Sequence, residues 1–333
     1  MAKTAGAAAV QSVIILGSGI AGLTAAVYTA RGGLRPLVVE GGEPGGQLSL
    51  TSVVENFPGF PDGIGGLDLV QNIRRQAERF GARYESAEVS HVDLHSRPFR
   101  IELDGERTLQ SHSLIIATGA RARLLGLDGE DEILGRGLST CATCDGAFFK
   151  NRTVAVVGGG DSAMEDAIYL TRFAAKVHVV HRRDRLRASK IMQERAFQKD
   201  SIVFHWNRQV DAYLRGEGGR LRGLRLAAPH GGGEDLEVDG VFLAIGHIPN
   251  TDMLQGQLPA DGEGYLTPKG VLTDIPGVFV AGDVADRRYQ QAATAAGTGC
   301  AAAMEAEDYL DVLGLGPEAA AQAAALNSAA PGA

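Results

Sequence analysis

The chain has 333 residues, of which 44% are hydrophobic and 22% charged, with a net charge of −8 and 45 glycines. That composition excludes a disordered or collagen-like chain, and the acidic balance argues against a nucleic-acid or anionic-membrane binder. Three cysteines exclude a disulfide-stapled secreted fold, and the length suggests about two domains.

Apolar runs with a glycine or polar stop recur along the chain. They are Val13–Leu16, Pro36–Val39, Leu114–Ala117, Val154–Val157, Val177–Val180, Val241–Ile245 and Val278–Ala281. Such runs read as parallel strands buried on both faces. Helical stretches at Leu67–Phe80 and Ser162–Phe173 lie between some of them. The expected class is α/β with two Rossmann-like dinucleotide-binding domains, the second inserted into the first. The strand–glycine–helix unit occurs at 13–30 and again at 154–173, and the last run has no room for a third copy. We therefore expect residues 1–122 and 249–333 to form one domain and 123–248 the insertion. The joins fall near Ala117–Leu124 and Gly246–Asn250. The tail from about 315 reads as disordered. The apolar stretch Val10–Ala30 loosely imitates a leader, but Gly17, Gly19 and Gly22 break it. No stretch offers an uninterrupted membrane span, so the expected place is the cytoplasm.

Gly17-Ser18-Gly19-Ile20-Ala21-Gly22 follows a strand and opens a helix. This is the context in which a glycine loop cradles a pyrophosphate at a helix N-terminus. Glu40 ends the next strand, where a carboxylate suits the hydroxyls of an unphosphorylated ribose. Gly158-Gly159-Gly160-Asp161-Ser162-Ala163 repeats the loop. At the equivalent strand end stands His181, followed by Arg182, Arg183, Arg185 and Arg187. Guanidinium groups there match a 2′-phosphate. FAD at the first loop and NADPH at the second satisfy both preferences, with Arg182, Arg183 and Arg187 as the phosphate clamp. Asp283, after the last strand, is expected to face the ribityl chain.

Cys141-Ala142-Thr143-Cys144-Asp145-Gly146 precedes the second glycine strand. A Cys-x-x-Cys pair binds zinc or carries a redox disulfide. Zinc would need further ligands, and neither a second pair nor clustered histidines accompany this one. A dithiol beside two dinucleotide loops reads as an electron acceptor. Cys144 is expected to open the helix after the pair, a position that favours a thiolate. Asp145 is either the proton donor or the cap of a turn before Gly146. Cys300 reads as a small packing residue at a helix start. His247, at a join, reads as structural or as a neighbour of either cofactor.

These residues together resemble the low-molecular-weight thioredoxin reductase family. The resemblance runs over about 11–312. It rests on Gly17–Gly22, Gly45-Gly46-Gln47-Leu48, Val54–Phe60, Ala117-Thr118-Gly119-Ala120, Cys141–Gly146, Gly158–Ala163, His181-Arg182-Arg183-Asp184 and Ala281-Gly282-Asp283-Val284. It implies a homodimer that carries electrons from NADPH through FAD to the Cys141–Cys144 disulfide and on to thioredoxin. It also implies domain rotation between the half-reactions. Cys144 would exchange with thioredoxin and Cys141 would resolve. Toward FAD the resemblance brings Gly17, Ser18, Gly19, Gly22, Glu40, Gly41, Gln47, Leu48, Asn56, Thr118, Gly119, Asp283, Gln291 and Ala292. Toward NADPH it brings Gly158, Gly160, Asp161, Ser162, Ala163, His181, Arg182, Arg183 and Arg187. Two departures stand out: Ile20 where the family often has Pro, and Gln290 where an arginine is usual. A glutathione-reductase type would carry cysteines within 41–50 and a C-terminal histidine, and neither is present. A flavin-dependent dithiol oxidase would lack the second loop. A nucleotide-binding redox sensor would show a damaged motif or an added effector domain.

Overall fold

A computed structural model describes residues 10–317 except 52, 106 and 230. The Ala-rich tail read as disordered falls almost wholly on 318–333, outside the described residues. The chain divides into two compact units. One takes in residues up to Arg121 and from Ile248 onward, and the other is Ala122–His247.

The first unit opens with β1 (Gln11–Leu16), α1 (Ile20–Arg31) and β2 (Leu37–Val39). It continues through α2 (Gly66–Arg79), β3 (Arg83–Glu85), β4 (Val89–Asp93), β5 (Phe99–Leu103) and β6 (Arg107–Ile116). The chain then leaves through β7 (Ala120–Ala122). The sheet order is β3-β2-β1-β6-β5-β4. Consecutive apolar residues of β1 divide between two cores: Val13 and Ile15 pack with the helices, Ile14 and Leu16 on the other face. Burial on both faces is why these strands read as continuous apolar runs rather than alternating ones.

The second unit holds α3 (Glu130–Ile133), β8 (Leu138–Ser139), α4 (Ala142–Asp145), β9 (Thr153–Gly158), α5 (Asp161–Leu170) and β10 (Lys176–His181). Next come α6 (Lys190–Phe197), β11 (Ile202–Trp206), β12 (Gln209–Arg215), β13 (Leu221–Ala227), β14 (Gly233–Glu237) and β15 (Gly240–Ala244). Five of its strands form a parallel sheet, β11-β10-β9-β15-β8, and β12-β13-β14 form an antiparallel one. Val154 and Val156 pack in the core that also holds α5 residues, while Ala155 and Val157 pack with residues of β12 and β13.

The chain returns through β16 (His247–Pro249), which pairs with β7. Then β17 (Val278–Val280) pairs in parallel with the C-terminal half of β6, and α7 (Ala292–Val312) packs in the α1 core. All seven strand-like runs of the sequence are strands. The antiparallel strands β4, β5 and β12–β14 were not expected, because exposed and buried residues are mixed along them and no continuous apolar run marks them. The helix expected to reach Phe173 stops at Leu170.

Candidate functional site

The first glycine loop joins β1 to α1. Gly17 has φ +104°, a region that L side chains rarely adopt, and a Cβ there would meet the Ala117 carbonyl. A Cβ on Gly22 would run into the Gly17 carbonyl oxygen, so that glycine sets the approach of α1 to the loop. Gly19, the N-cap of α1, has open space where a Cβ would stand. The three glycines thus divide their work: two are required by the protein's own packing, and one leaves room for a ligand at a helix N-terminus. Ser18 is buried and its Oγ accepts the Gly45 N–H at 3.0 Å. That bond draws the loop carrying Gln47 and Leu48, on the 3-10 turn Gly46–Leu50, over Gly19.

Glu40 is buried at the end of β2. Its carboxylate is ion-paired with Arg74 and accepts the Ser86 hydroxyl at 3.3 Å. Gly41 follows in open space. Thr118 Oγ1 donates to the Asn250 carbonyl at 2.7 Å, and Asn250 answers through its side-chain amide to the Thr118 carbonyl at 2.9 Å. This reciprocal pair fixes the turn that holds Gly119. Asn56 donates to Gln291 at 3.2 Å, which joins residues 235 positions apart. Gln291 is the N-cap of α7 and Ala292 its first residue.

Asp283 lies just after β17, on the 3-10 turn Gly282–Val284. Thr298 Oγ1 accepts the Gly282 N–H at 2.9 Å, which anchors the turn to α7. Among the described residues, Asp283 Oδ1 is buried without a hydrogen-bond partner. Burial, with the nearby Asp286 carboxyl, pushes its pKa up to about 7. A buried polar atom without a partner is costly and calls for a donor. The hydroxyls of a ribityl chain are donors of that kind. Gln290, standing where the resemblance would place an arginine, donates to Tyr265 Oη at 3.2 Å. The residues of this unit therefore fit a flavin dinucleotide: an open helix N-terminus for phosphate, a buried carboxylate for ribose and an unsatisfied acceptor beyond.

The second loop repeats the device with a different charge. Gly160 is the N-cap of α5 and has open space where a Cβ would stand. A Cβ on Gly159 would meet the His181 ring, and one on Gly158 would meet the Ala244 carbonyl. Asp161, first in α5, accepts both the N–H and the hydroxyl of Ser189 at 2.8 Å. Ser162 is exposed and Ala163 buried against the sheet. His181 is buried, with Nε2 3.0 Å from the Arg185 carbonyl. Burial lowers its pKa, so the ring is neutral at pH 7. The Gly159 carbonyl accepts N–H groups from Arg187 at 2.7 Å and Ala188 at 3.1 Å. The arginine segment is thereby tied to the glycine loop through its backbone. Arg182, Arg183 and Arg187 are exposed and enter no ion pair among the described residues.

Cys141 and Cys144 form a disulfide with Cα atoms 5.3 Å apart. The helix expected after the pair instead contains it. Cys141 is the N-cap of α4 and Cys144 its third residue, so Cys144 does not open a helix. Ser139 sets the pair: its hydroxyl accepts the Cys141 N–H at 3.1 Å. Burial raises the Asp145 pKa, and a hydrogen bond from Ser139 partly offsets this. A carboxyl so placed holds its proton closer to neutrality than a free one. Cys300 is a free thiol well inside α7, not at a helix start, and a hydrogen bond with it raises the Tyr28 pKa. His247 is half-buried in β16, and burial lowers its pKa.

The sequence reading missed Arg74, Ser86, Ser139 and Asn250. None carries a motif; each acts by hydrogen bonding to a residue that does.

Residues 11–299 match the family described as pyridine nucleotide-disulphide oxidoreductase. A thioredoxin reductase of Streptomyces clavuligerus is 52% identical over 309 residues, covering 91% of this chain and 95% of its own. One from Mycolicibacterium smegmatis is 49% identical over 304 residues, covering 90% and 97%. The crystal structure of thioredoxin reductase from Streptococcus pyogenes MGAS5005 superposes with a TM-score of 0.85 at 40% identity, covering 91% of this chain and 99% of that one. Identity at this level across nearly whole chains leaves one assignment. The chain is an oxidoreductase that belongs to the pyridine nucleotide-disulphide oxidoreductases, among the low-molecular-weight thioredoxin reductases.

Proposed function

We propose that the protein uses NADPH and FAD to reduce the Cys141–Cys144 disulfide and, through it, thioredoxin. The observation that carries this reading is a disulfide in the same unit as a glycine loop whose facing strand end is cationic. Flavin, when bound, accepts electrons in pairs from a nicotinamide and delivers them to a disulfide. The first unit would hold FAD through the α1 N-terminus, Glu40, Thr118–Gly119, Asp283 and the start of α7. The second would hold NADPH through the α5 N-terminus and Arg182, Arg183 and Arg187.

The chain's own steps follow from its sulfurs. Two electrons and two protons reduce the disulfide: one proton stays on Cys141 as a thiol and the other rests on Asp145, which leaves Cys144 a thiolate. The Cys144 thiolate attacks the thioredoxin disulfide, one thioredoxin sulfur leaves with the proton from Asp145, and a mixed disulfide forms. Cys141 then attacks Cys144, its proton goes to the second departing thioredoxin sulfur, and the dithiol thioredoxin is released as the starting bond is restored. The paired crossings β7 and β16 are where the inserted unit would turn between half-reactions. We further propose a cytoplasmic homodimer.

Neither alternative is favoured. A dithiol oxidase has no use for the cationic strand end at His181–Arg187, and neither glycine loop shows the damaged motif a sensor would carry. NADPH consumption measured with and without thioredoxin tests the reading. Consumption should depend on thioredoxin and vanish in Cys144→Ser. Equal consumption without thioredoxin would turn the reading toward an oxidase.

A further inference from the structure

We propose that Arg74 is a positioning residue for the adenosine end of the flavin dinucleotide. It would hold Glu40 turned so that the carboxylate presents its free lone pairs to the ribose. The proposal rests on the reading that the first unit binds FAD.

Glu40 is held from three directions. Its backbone N–H donates to the Glu85 carbonyl at 3.0 Å, which continues the β2–β3 ladder and fixes its Cα. Arg74 Nη1 pairs with Oε1. Ser86 Oγ donates to Oε2 at 3.3 Å. A carboxylate offers about four lone-pair sites. Two are filled, and two remain, the number that the 2′ and 3′ hydroxyls of one ribose require. The side chain of Glu40 is only 5% exposed. Such a carboxylate, without a partner cation to hold it, would turn away, and that removes the acceptors.

Arg74 is itself held. Its Nε donates to Glu78 at 3.0 Å, one helical turn along α2. Its guanidinium stacks over the Tyr84 ring at 4.0 Å from the centroid. The Tyr84 hydroxyl lies 3.5 Å from the Arg74 carbonyl. The planar group is therefore fixed between a ring and two carboxylates, which lysine could copy in charge but not in geometry. No motif points to this residue; α2 brings it to the strand end where the motif places Glu40.

Binding of FAD and of FMN to the deflavinated full-length chain, followed by quenching of flavin fluorescence, tests the proposal. FMN lacks the adenosine ribose. Arg74→Met should weaken FAD roughly 10- to 100-fold, by loss of a charge-assisted contact, and leave FMN unchanged. Arg74→Lys should recover part of the loss, and it carries the same test should the methionine variant not fold. A variant that binds FAD as tightly as wild type, or that loses FAD and FMN equally, would overturn the proposal. Wild-type chain that binds no FAD would instead overturn the FAD reading beneath it.

Discussion

The two units solve the same problem with opposite charges. In each, a strand ends at a glycine loop, a helix starts with an open N-cap glycine, and the neighbouring strand ends in a buried polar side chain. In the first unit that side chain is Glu40, buried and paired with Arg74. In the second it is His181, buried and neutral, followed by exposed arginines without ion pairs among the described residues. Backbone amides at a helix N-terminus bind any phosphate and carry no preference between dinucleotides. The preference must come from the strand end, one carboxylate against several guanidiniums. The comparison also separates two kinds of arginine. Arg74 is consumed by a carboxylate of its own unit, whereas Arg182, Arg183 and Arg187 enter no ion pair among the described residues, as the proposed phosphate clamp requires.

The largest expected effect lies where only one unit has the group. Cys144→Ser should bring thioredoxin turnover to background, because no other sulfur of the pair can begin exchange. Cys141→Ser should also lose turnover yet still trap thioredoxin as a mixed disulfide through Cys144. The reverse pattern, seen by non-reducing electrophoresis, would move the nucleophile to Cys141.

The strand-end comparison breaks next. Arg182→Gln with Arg183→Gln should erode the preference for NADPH over NADH by ~10- to 150-fold, read from the two kcat/KM values. FAD content should not change. An unaltered preference would mean that the charge difference between the two strand ends decides nothing.

The glycines sharpen the comparison at equal backbone geometry. Gly22→Ala forces a Cβ onto the Gly17 carbonyl and should lower thermal stability by about 1–3 kcal/mol. Gly19→Ala and Gly160→Ala meet open space, so stability should hold while FAD or NADPH affinity falls respectively. Calorimetry of the cofactor-free chain separates the two outcomes; a stability loss at Gly19→Ala equal to that at Gly22→Ala would contradict the division of work.

The smallest effect concerns Asp283. Burial raises its folded pKa to about 7 from 3.8. A raised carboxyl stabilises the fold fully below its unfolded value, and that stability is lost as pH rises from about 4 through about 7. In the cofactor-free chain, Asp283→Asn should therefore melt slightly higher than wild type at pH 8, with the difference gone near pH 4. The residue as a whole is only half-buried, and solvent relaxation keeps the effect small. Equal melting at both pH values would remove the unsatisfied acceptor from the account.

Sequence legibility followed burial and motif. The parallel strands were readable because β1, β9 and the end of β6 are buried on both faces and so carry unbroken apolar runs. β13, which alternates exposed and buried residues beside glycine-rich turns, was not. The glycine loops were readable because their spacing is imposed by backbone contacts such as Gly22 on Gly17. Arg74 and Ser139 were invisible, since one charged residue on a helix or one hydroxyl in a two-residue strand has no pattern until the fold sets it beside Glu40 or Cys141. The place of Cys144 was misread because a four-residue helix has too few positions to show a period.

The central claim is that the two glycine loops take different dinucleotides and serve one disulfide. It is tested most directly by anaerobic titration of the FAD-loaded chain with NADPH and, in parallel, with NADH, followed by addition of oxidised thioredoxin. The account predicts that NADPH bleaches the flavin absorbance at far lower concentration than NADH, and that thioredoxin restores the colour. Equal bleaching by both nucleotides, or a bleached chain that thioredoxin leaves unchanged, would contradict it.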